Sequence, residues 1–196
     1  PIGPVFAIEQ AERNVVQRLS HGDQEGTPVS CLQSILDSLS TAERELVRHS
    51  LFLGVAKSSF QLGAGAEDPA FLVRNLIGVD PRTGSVAVGE RLRVGQQVQF
   101  QLRDAHASRQ EQHQLLERQH QRQSEPLAAL LFACLGRGEG LYGQPDGDVK
   151  ACREQFAAVP VAGAFCNGEI GPVGGTTHLH GYTASWGFLV ANTQET

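Results

Sequence analysis

The chain has 196 residues, 40% of them hydrophobic and 19% charged, and a formal net charge of −5. That balance suffices to bury a sizeable core without disulfides or metals, and it lies far from the disordered class. With a pI near 5.8 and arginines scattered rather than striped, nothing draws in a phosphate backbone, so nucleic acid is excluded as an expected partner. The longest apolar run, Leu127 to Leu135, covers nine residues, well short of the ~20 that a membrane span needs.

Cys31, Cys134, Cys152 and Cys166 show neither Cys-x-x-Cys spacing nor a regular framework, so no zinc knuckle or disulfide scaffold is expected. A reducing cytoplasm is the expected location. The chain has no Met and opens on Pro1-Ile2-Gly3-Pro4, which resembles a loop entering a strand rather than a signal peptide. It is read as a piece of a longer protein.

In chain order, Pro4 to Gln10 and Val15 to Leu19 read as strands around a turn at Ala11–Asn14. From Pro28, the residues Val29, Leu32, Ile35, Leu36 and Leu39 recur at helical steps. Ser40 or Thr41 caps a second helix running to Arg48. Ser50 to Lys57 is expected as a strand, Gln61 to Pro69 as a Gly/Ala-rich loop, and Phe71 to Val79 as a strand interrupted by Arg74 and Asn75. A turn at Asp80–Gly84 leads to strands over Ser85–Val88 and Gln96–Arg103, the latter with Gln97, Gln99 and Gln101 on one wet face. Asp104 to about Gln123 reads as a polar helix. Its His106, His113 and His120 are about 10.5 Å apart in rise per step, too far to share one metal ion, so they are assigned to a solvated face.

Leu127 to Cys134 is a continuous apolar run, as in a central strand covered on both faces. Gly136-Arg137-Gly138-Glu139-Gly140-Leu141-Tyr142-Gly143 follows, then a helix capped by Asp146 or Asp148 with Val149, Cys152 and Phe156 as its buried stripe. A second apolar run, Val159 to Cys166, ends in a Gly-rich stretch, Asn167 to Gly175. Strand, helix, strand reads as a βαβ unit with parallel strands, and both Gly-rich loops then leave one sheet edge, where open α/β sheets build ligand sites. Gly138, Gly140 and Gly143 match G-x-G-x-x-G, yet Gln144–Asp148 separates them from the helix and its aspartates repel phosphate, so no dinucleotide cofactor is expected.

Arg137 and Glu169 occupy equivalent loops and offer opposite charges to a zwitterion, or else brace the loops. His178 and His180 precede a final strand, Gly181 to Val190, and lack a third metal ligand; His180 is assigned to hydrogen bonding or pocket lining. Trp186 is assigned to the core. Cys134 or Cys166 with a neighbouring histidine offers an alternative enzymatic reading, although a buried Cys usually acts as a small hydrophobe.

Leu131-Phe132-Ala133-Cys134-Leu135-Gly136-Arg137-Gly138, Leu141-Tyr142-Gly143, Phe165 to Gly175 and Leu179-His180-Gly181-Tyr182-Thr183 resemble the FxCxGRG, LYG, GEIGPVGG and LHGYT elements of the C-terminal domain of the FIST family. Phe71 to Asp80 and Val94 to Phe100 resemble its FLVRNLLGVD and VGxxVQF stretches. The resemblance implies one FIST C-terminal domain over 1–196, without its N-terminal FIST partner, acting as a ligand-binding sensor in intracellular signalling. The ligand so implied is an amino acid or other small zwitterion or carboxylate. The expected binding set is Gly136, Arg137, Gly138, Tyr142, Gly168, Glu169, His180, Thr183, Arg74 and Asn75, with no catalytic set, no metal and no cofactor. Expected partners are the small molecule, the N-terminal FIST domain and a signalling output domain; a pure protein-interaction module is a further alternative. The expected fold class is α/β (mixed α+β): a layered mixed sheet with β-hairpins and a C-terminal βαβ unit, or alternatively two stacked sheets flanked by helices (αββα).

Overall fold

The computed structural model describes residues 1–56, 71–122, 125–173 and 175–191 and divides into two compact units, Pro1–Arg103 and Asp104–Thr196. The first unit begins with β1 (Ile2–Glu12) and β2 (Val15–His21), followed by β3 (Gln24–Gly26), α1 (Pro28–Leu36) and α2 (Thr41–Val47). It continues with β4 (Leu51–Ala56), β5 (Phe71–Val79), β6 (Val86–Val88) and β7 (Gln97–Leu102). The expected strands and helices over these residues are present with small shifts of boundary; the loop expected at Gln61–Pro69 lies outside the described residues.

The strands run in the order β1-β7-β4-β5-β6-β2-β3, and β1 also pairs with β2. The sheet therefore closes on itself, with β3 appended to β2, and closure removes the unpaired edges that an open antiparallel sheet exposes. Alternation places Ile8, Val16, Leu19, Val55, Val88, Val98 and Phe100 inside, each nearly inaccessible. Thr27 caps α1 by accepting from the Ser30 N–H at 3.2 Å, and Ile35 of that helix joins the same core. Helix α2 starts with a capping box in which Ser40 N–H donates to Glu43 Oε2 at 2.8 Å and Glu43 N–H donates to Ser40 Oγ at 3.3 Å.

The second unit contains α3 (Ala105–Arg122), β8 (Ala128–Cys134), α4 (Glu139–Tyr142), α5 (Gly147–Gln155), β9 (Val161–Cys166), β10 (Glu169–Val173), β11 (Thr176–His180) and β12 (Ala184–Leu189). β8 and β9 are parallel, in register from Ala129↔Val161 to Cys134↔Cys166, as the βαβ reading requires. β12 adds antiparallel to β8 in the order β12-β8-β9, and β10 with β11 forms a separate hairpin. Leu116, Ala129, Ala151, Cys152, Phe156 and Val159 make the core, with Trp186 and Phe188 stacked 5.9 Å apart at its margin.

The mixed α/β class is the one expected, and the strand grouping that the sequence left open is three sheets in two units. Two local expectations are corrected. β8 is covered on one face: Leu130 and Phe132 are 39% and 43% exposed, because the core beneath α3 and α5 takes only the alternate residues. Most of Asn167–Gly175 is strand rather than loop, because Ile170 pairs with Leu179 and Val173 with the β-branched Thr176 in an antiparallel ladder. Helix α3 is the polar helix expected, with Gln112 and Leu116 buried on it. Two of its histidines make local contacts: His113 lies 3.4 Å from Glu154, and His120 meets the Phe156 ring edge-on at 5.2 Å; His106 is exposed.

Candidate functional site

The chain turns sharply after β8, with the Arg137 N–H donating to the Cys134 carbonyl at 2.8 Å. Gly138 then adopts φ +63° to start α4, a conformation that L side chains rarely accept. This turn sends the Arg137 side chain inward, where it is 8% exposed. Arg137 Nε donates to Asp148 Oδ2 at 3.1 Å and Nη2 to Asp148 Oδ1 at 2.6 Å, a two-pronged ion pair with the first turn of α5. Nη2 also donates to the Tyr142 hydroxyl and, at 3.4 Å, to Gln112 Oε1. The Tyr142 hydroxyl donates to Asp148 Oδ1 at 2.9 Å, and Gln112 Nε2 to the Asp148 carbonyl at 3.0 Å. Arg109 completes the cluster: it donates to the Tyr142 carbonyl at 2.9 Å and lies 5.0 Å over the ring.

Burial alone would weaken the Arg137 charge, but the Asp148 carboxylate outweighs it and holds the guanidinium above its ordinary range. Burial pushes the Tyr142 hydroxyl well above its ordinary range, and Asp148 adds to the shift while Arg137 and Arg109 oppose it. Because the folded-state value is raised, the stabilisation linked to the Tyr142 proton is complete below the unfolded tyrosine value of about 10 and is lost as pH climbs toward the folded one. Urea unfolding from about pH 8 to pH 11 should therefore show an alkaline decline in stability that Tyr142→Phe reduces; equal declines in both proteins would refute this assignment.

Glu169 is 1% exposed. Its Oε2 accepts from the Thr183 N–H at 3.3 Å and hydroxyl at 3.0 Å, whereas Oε1 has no hydrogen-bond partner among the described residues. Tyr182, one residue earlier, sits at φ +63°, and its carbonyl accepts from Arg137 Nη1 at 3.5 Å. Arg137 and Glu169 thus do not pair with each other; they grip adjacent residues of one strained turn. His180 places Nε2 3.0 Å from the Gly171 carbonyl, tying β11 to β10.

A cavity of about 200 Å³ opens beside this framework. Its walls are Leu131 and Ala133 of β8, Val161 through Phe165 of β9, Gly138, and Asp146 through Val149 at the start of α5. Asp146, at φ +62°, precedes the helix and makes no side-chain cap bond. The backbone N–H groups of a helix's first turn have no intrahelical acceptors, and here the residues that carry them line the cavity.

Of the residues expected to form the site, Gly138 lines this cavity, and Arg137 and Tyr142 support its Asp148 wall. Glu169, Thr183 and His180 organise the neighbouring hairpin and turn, and Gly168 (φ +146°) leads into that hairpin. Gly136 lies in the turn after β8. Arg74 and Asn75 belong to the other unit, where Arg74 Nε donates to Glu90 at 2.5 Å and Asn75 is exposed on β5. Sequence reasoning did not assign Asp146, Gly147, Asp148 or Gln112 to a site. The two aspartates carried a signal, as helix caps beside a Gly-rich loop, whereas Gln112 on a uniformly polar helix carried none. Cys134 is buried and Cys166 half-buried, with Cys166 Sγ 3.6 Å from the Ala164 carbonyl. Among the described residues no three His, Cys, Asp or Glu side chains gather as metal ligands.

A model of the FIST C domain matches residues 28–172. The chain belongs to the FIST family. Uncharacterized proteins of Mycobacterium bovis and Mycobacterium tuberculosis are 36% identical to it over 191 residues, 97% of this chain and 48% of their own length. A second M. tuberculosis protein matches to the same extent. The chain thus spans about half the length of the curated relatives it matches. No solved structure matches it significantly. FIST domains are a family of signal-transduction sensory domains, and Arg137, Tyr142, Glu169 and Thr183 fall on the segments that resemble the family's motifs. Among the described residues no helix is long and apolar enough to cross a membrane, which says nothing of spanning by strands.

Proposed function

We propose that this FIST chain supplies the ligand-recognising part of a cytoplasmic sensor, and that its ligand is a small zwitterion or carboxylate of amino-acid size. The observation that carries the reading is the cavity between β9 and the start of α5. Its rim combines two opposite polarities. The open N–H groups at the start of α5 favour a carboxylate, and the exposed Asp146 carboxylate favours an ammonium. Asp148 does not disturb this pattern, because Arg137 neutralises it. The apolar wall of Leu131, Val161 and Phe165 suits a short side chain. Arg137, Gly136, Gly138 and Tyr142 act by fixing this geometry. Glu169, Thr183, Gly168 and His180 set the adjacent turn, where the unpartnered Glu169 oxygen is a second acceptor for an ammonium. An N-terminal FIST domain and a signalling output domain are the partners this reading calls for.

Calorimetric titration of the chain with the common amino acids and small carboxylates, repeated on a longer protein carrying the N-terminal half, tests the proposal. Saturable binding is expected, weakened at least about tenfold by Asp146→Ala, a loss of roughly 1.4 kcal/mol. Absence of binding by both proteins, or full affinity in Asp146→Ala, would overturn it.

A further inference from the structure

The last rung of the parallel β8–β9 ladder pairs Cys134 with Cys166. Neighbouring strands lie about 4.7–4.9 Å apart, inside the roughly 4.4–6.8 Å range of Cα separations that a disulfide spans. Directly paired residues of parallel strands project from the same face of the sheet. Both thiols are free, Cys134 buried on the central strand and Cys166 half-buried on the strand at the sheet's edge. Cys166 Sγ makes only a weak contact with the Ala164 carbonyl, which a rotation about χ1 releases.

We propose that Cys134 and Cys166 form a reversible disulfide driven by a hydroperoxide. Cys166, the more accessible, attacks the peroxide: an S–O bond forms, the O–O bond breaks, and an alcohol leaves, or water when the oxidant is hydrogen peroxide. Cys134 then attacks the Cys166 sulfenic sulfur: the S–S bond forms, the S–O bond breaks, and water leaves with the second thiol proton. Two thiols lose two electrons and the peroxide gains them; a small-molecule thiol reverses the step by exchange. The bond closes the segment from Cys134 to Cys166, which contains Gly138, α4 and α5, and it ties together the two strands that wall the cavity. Among the described residues β9 is an edge strand that pairs with β8 alone. The other two thiols are poorer candidates: Cys152 is fully buried, and burial pushes both it and Cys31 up, away from the reactive thiolate. The disulfide follows from the strand register and stands whether or not the cavity takes a ligand.

The test treats the full chain with hydrogen peroxide, alkylates the remaining thiols and measures intact mass and cross-linked peptides. A species lighter by about 2 Da before alkylation is expected, with one cross-link joining Cys134 to Cys166, a raised thermal midpoint, and return to the starting state in dithiothreitol. Cys134→Ser and Cys166→Ser should each abolish the cross-link, the second at a site open enough to spare the fold, while Cys31→Ser and Cys152→Ser retain it. Peroxide-treated protein in which Cys134 and Cys166 both stay alkylatable, a Cys166 that stops at sulfinic acid, or a cross-link through Cys31 or Cys152 would overturn the proposal.

Discussion

Arg137→Ala should destabilise the second unit by about 3–5 kcal/mol, the cost of stripping one partner from a buried ion pair. The size follows from what remains. Asp148 is 5% exposed, and after the substitution its carboxylate keeps the Tyr142 hydroxyl at 2.9 Å but loses both guanidinium donors. The Tyr142 hydroxyl and Gln112 Oε1 lose a donor in the same step, and the Tyr182 carbonyl loses its contact with Nη1. Arg137→Lys should recover little, since one ammonium cannot reproduce a planar fork that reaches both carboxylate oxygens. Replacing both members of the pair, Arg137→Met with Asp148→Leu, should restore much of the loss, because it removes the uncompensated charge rather than stranding it. Urea unfolding of the three variants measures these differences. An Arg137→Ala chain within 1 kcal/mol of the parent, on the order of a surface pair, would show that the cluster is not a structural clamp.

Gly163→Ala should cost about 3 kcal/mol, the upper end of the overpacking range. A Cβ at Gly163 would run into the Leu131 carbonyl oxygen and lie 2.7 Å from its carbon. Those atoms are backbone, and Leu131 is the residue paired with Gly163 in the ladder, so relief requires β9 to move off β8. Gly187→Ala on β12 is the matched control, since its Cβ would meet nothing nearer than Leu130 Cβ at 3.9 Å. Thermal and urea unfolding should separate the two substitutions clearly. Equal stability would place the β8–β9 spacing under looser control than the structure implies.

These two positions differ in how far the sequence revealed them. Arg137 stood out as a charge inside a Gly-rich loop, and its two readings, ligand clamp or loop brace, were both available. Its partner Asp148 lies eleven residues away, and Gln112 is twenty-five residues upstream; no periodicity joins them, because the cluster exists only once α3, α4 and α5 have packed. Gly163 looked like one small residue in an apolar run. Its steric role depends on a parallel neighbour that only the folded sheet supplies.

The sequence by itself determined the order and kind of most elements, the βαβ unit from β8 to β9, and the family. These properties rest on local patterns: alternation, helical spacing, caps and Gly-rich turns each act over a few residues. Tertiary structure decided the closure of the first sheet, the exposure of one face of β8, and the Cys134–Cys166 pairing. It also decided that Arg137 and Glu169 hold one turn from two sides rather than facing each other. Each of these depends on residues far apart in sequence whose approach is set by strand register and side-chain packing.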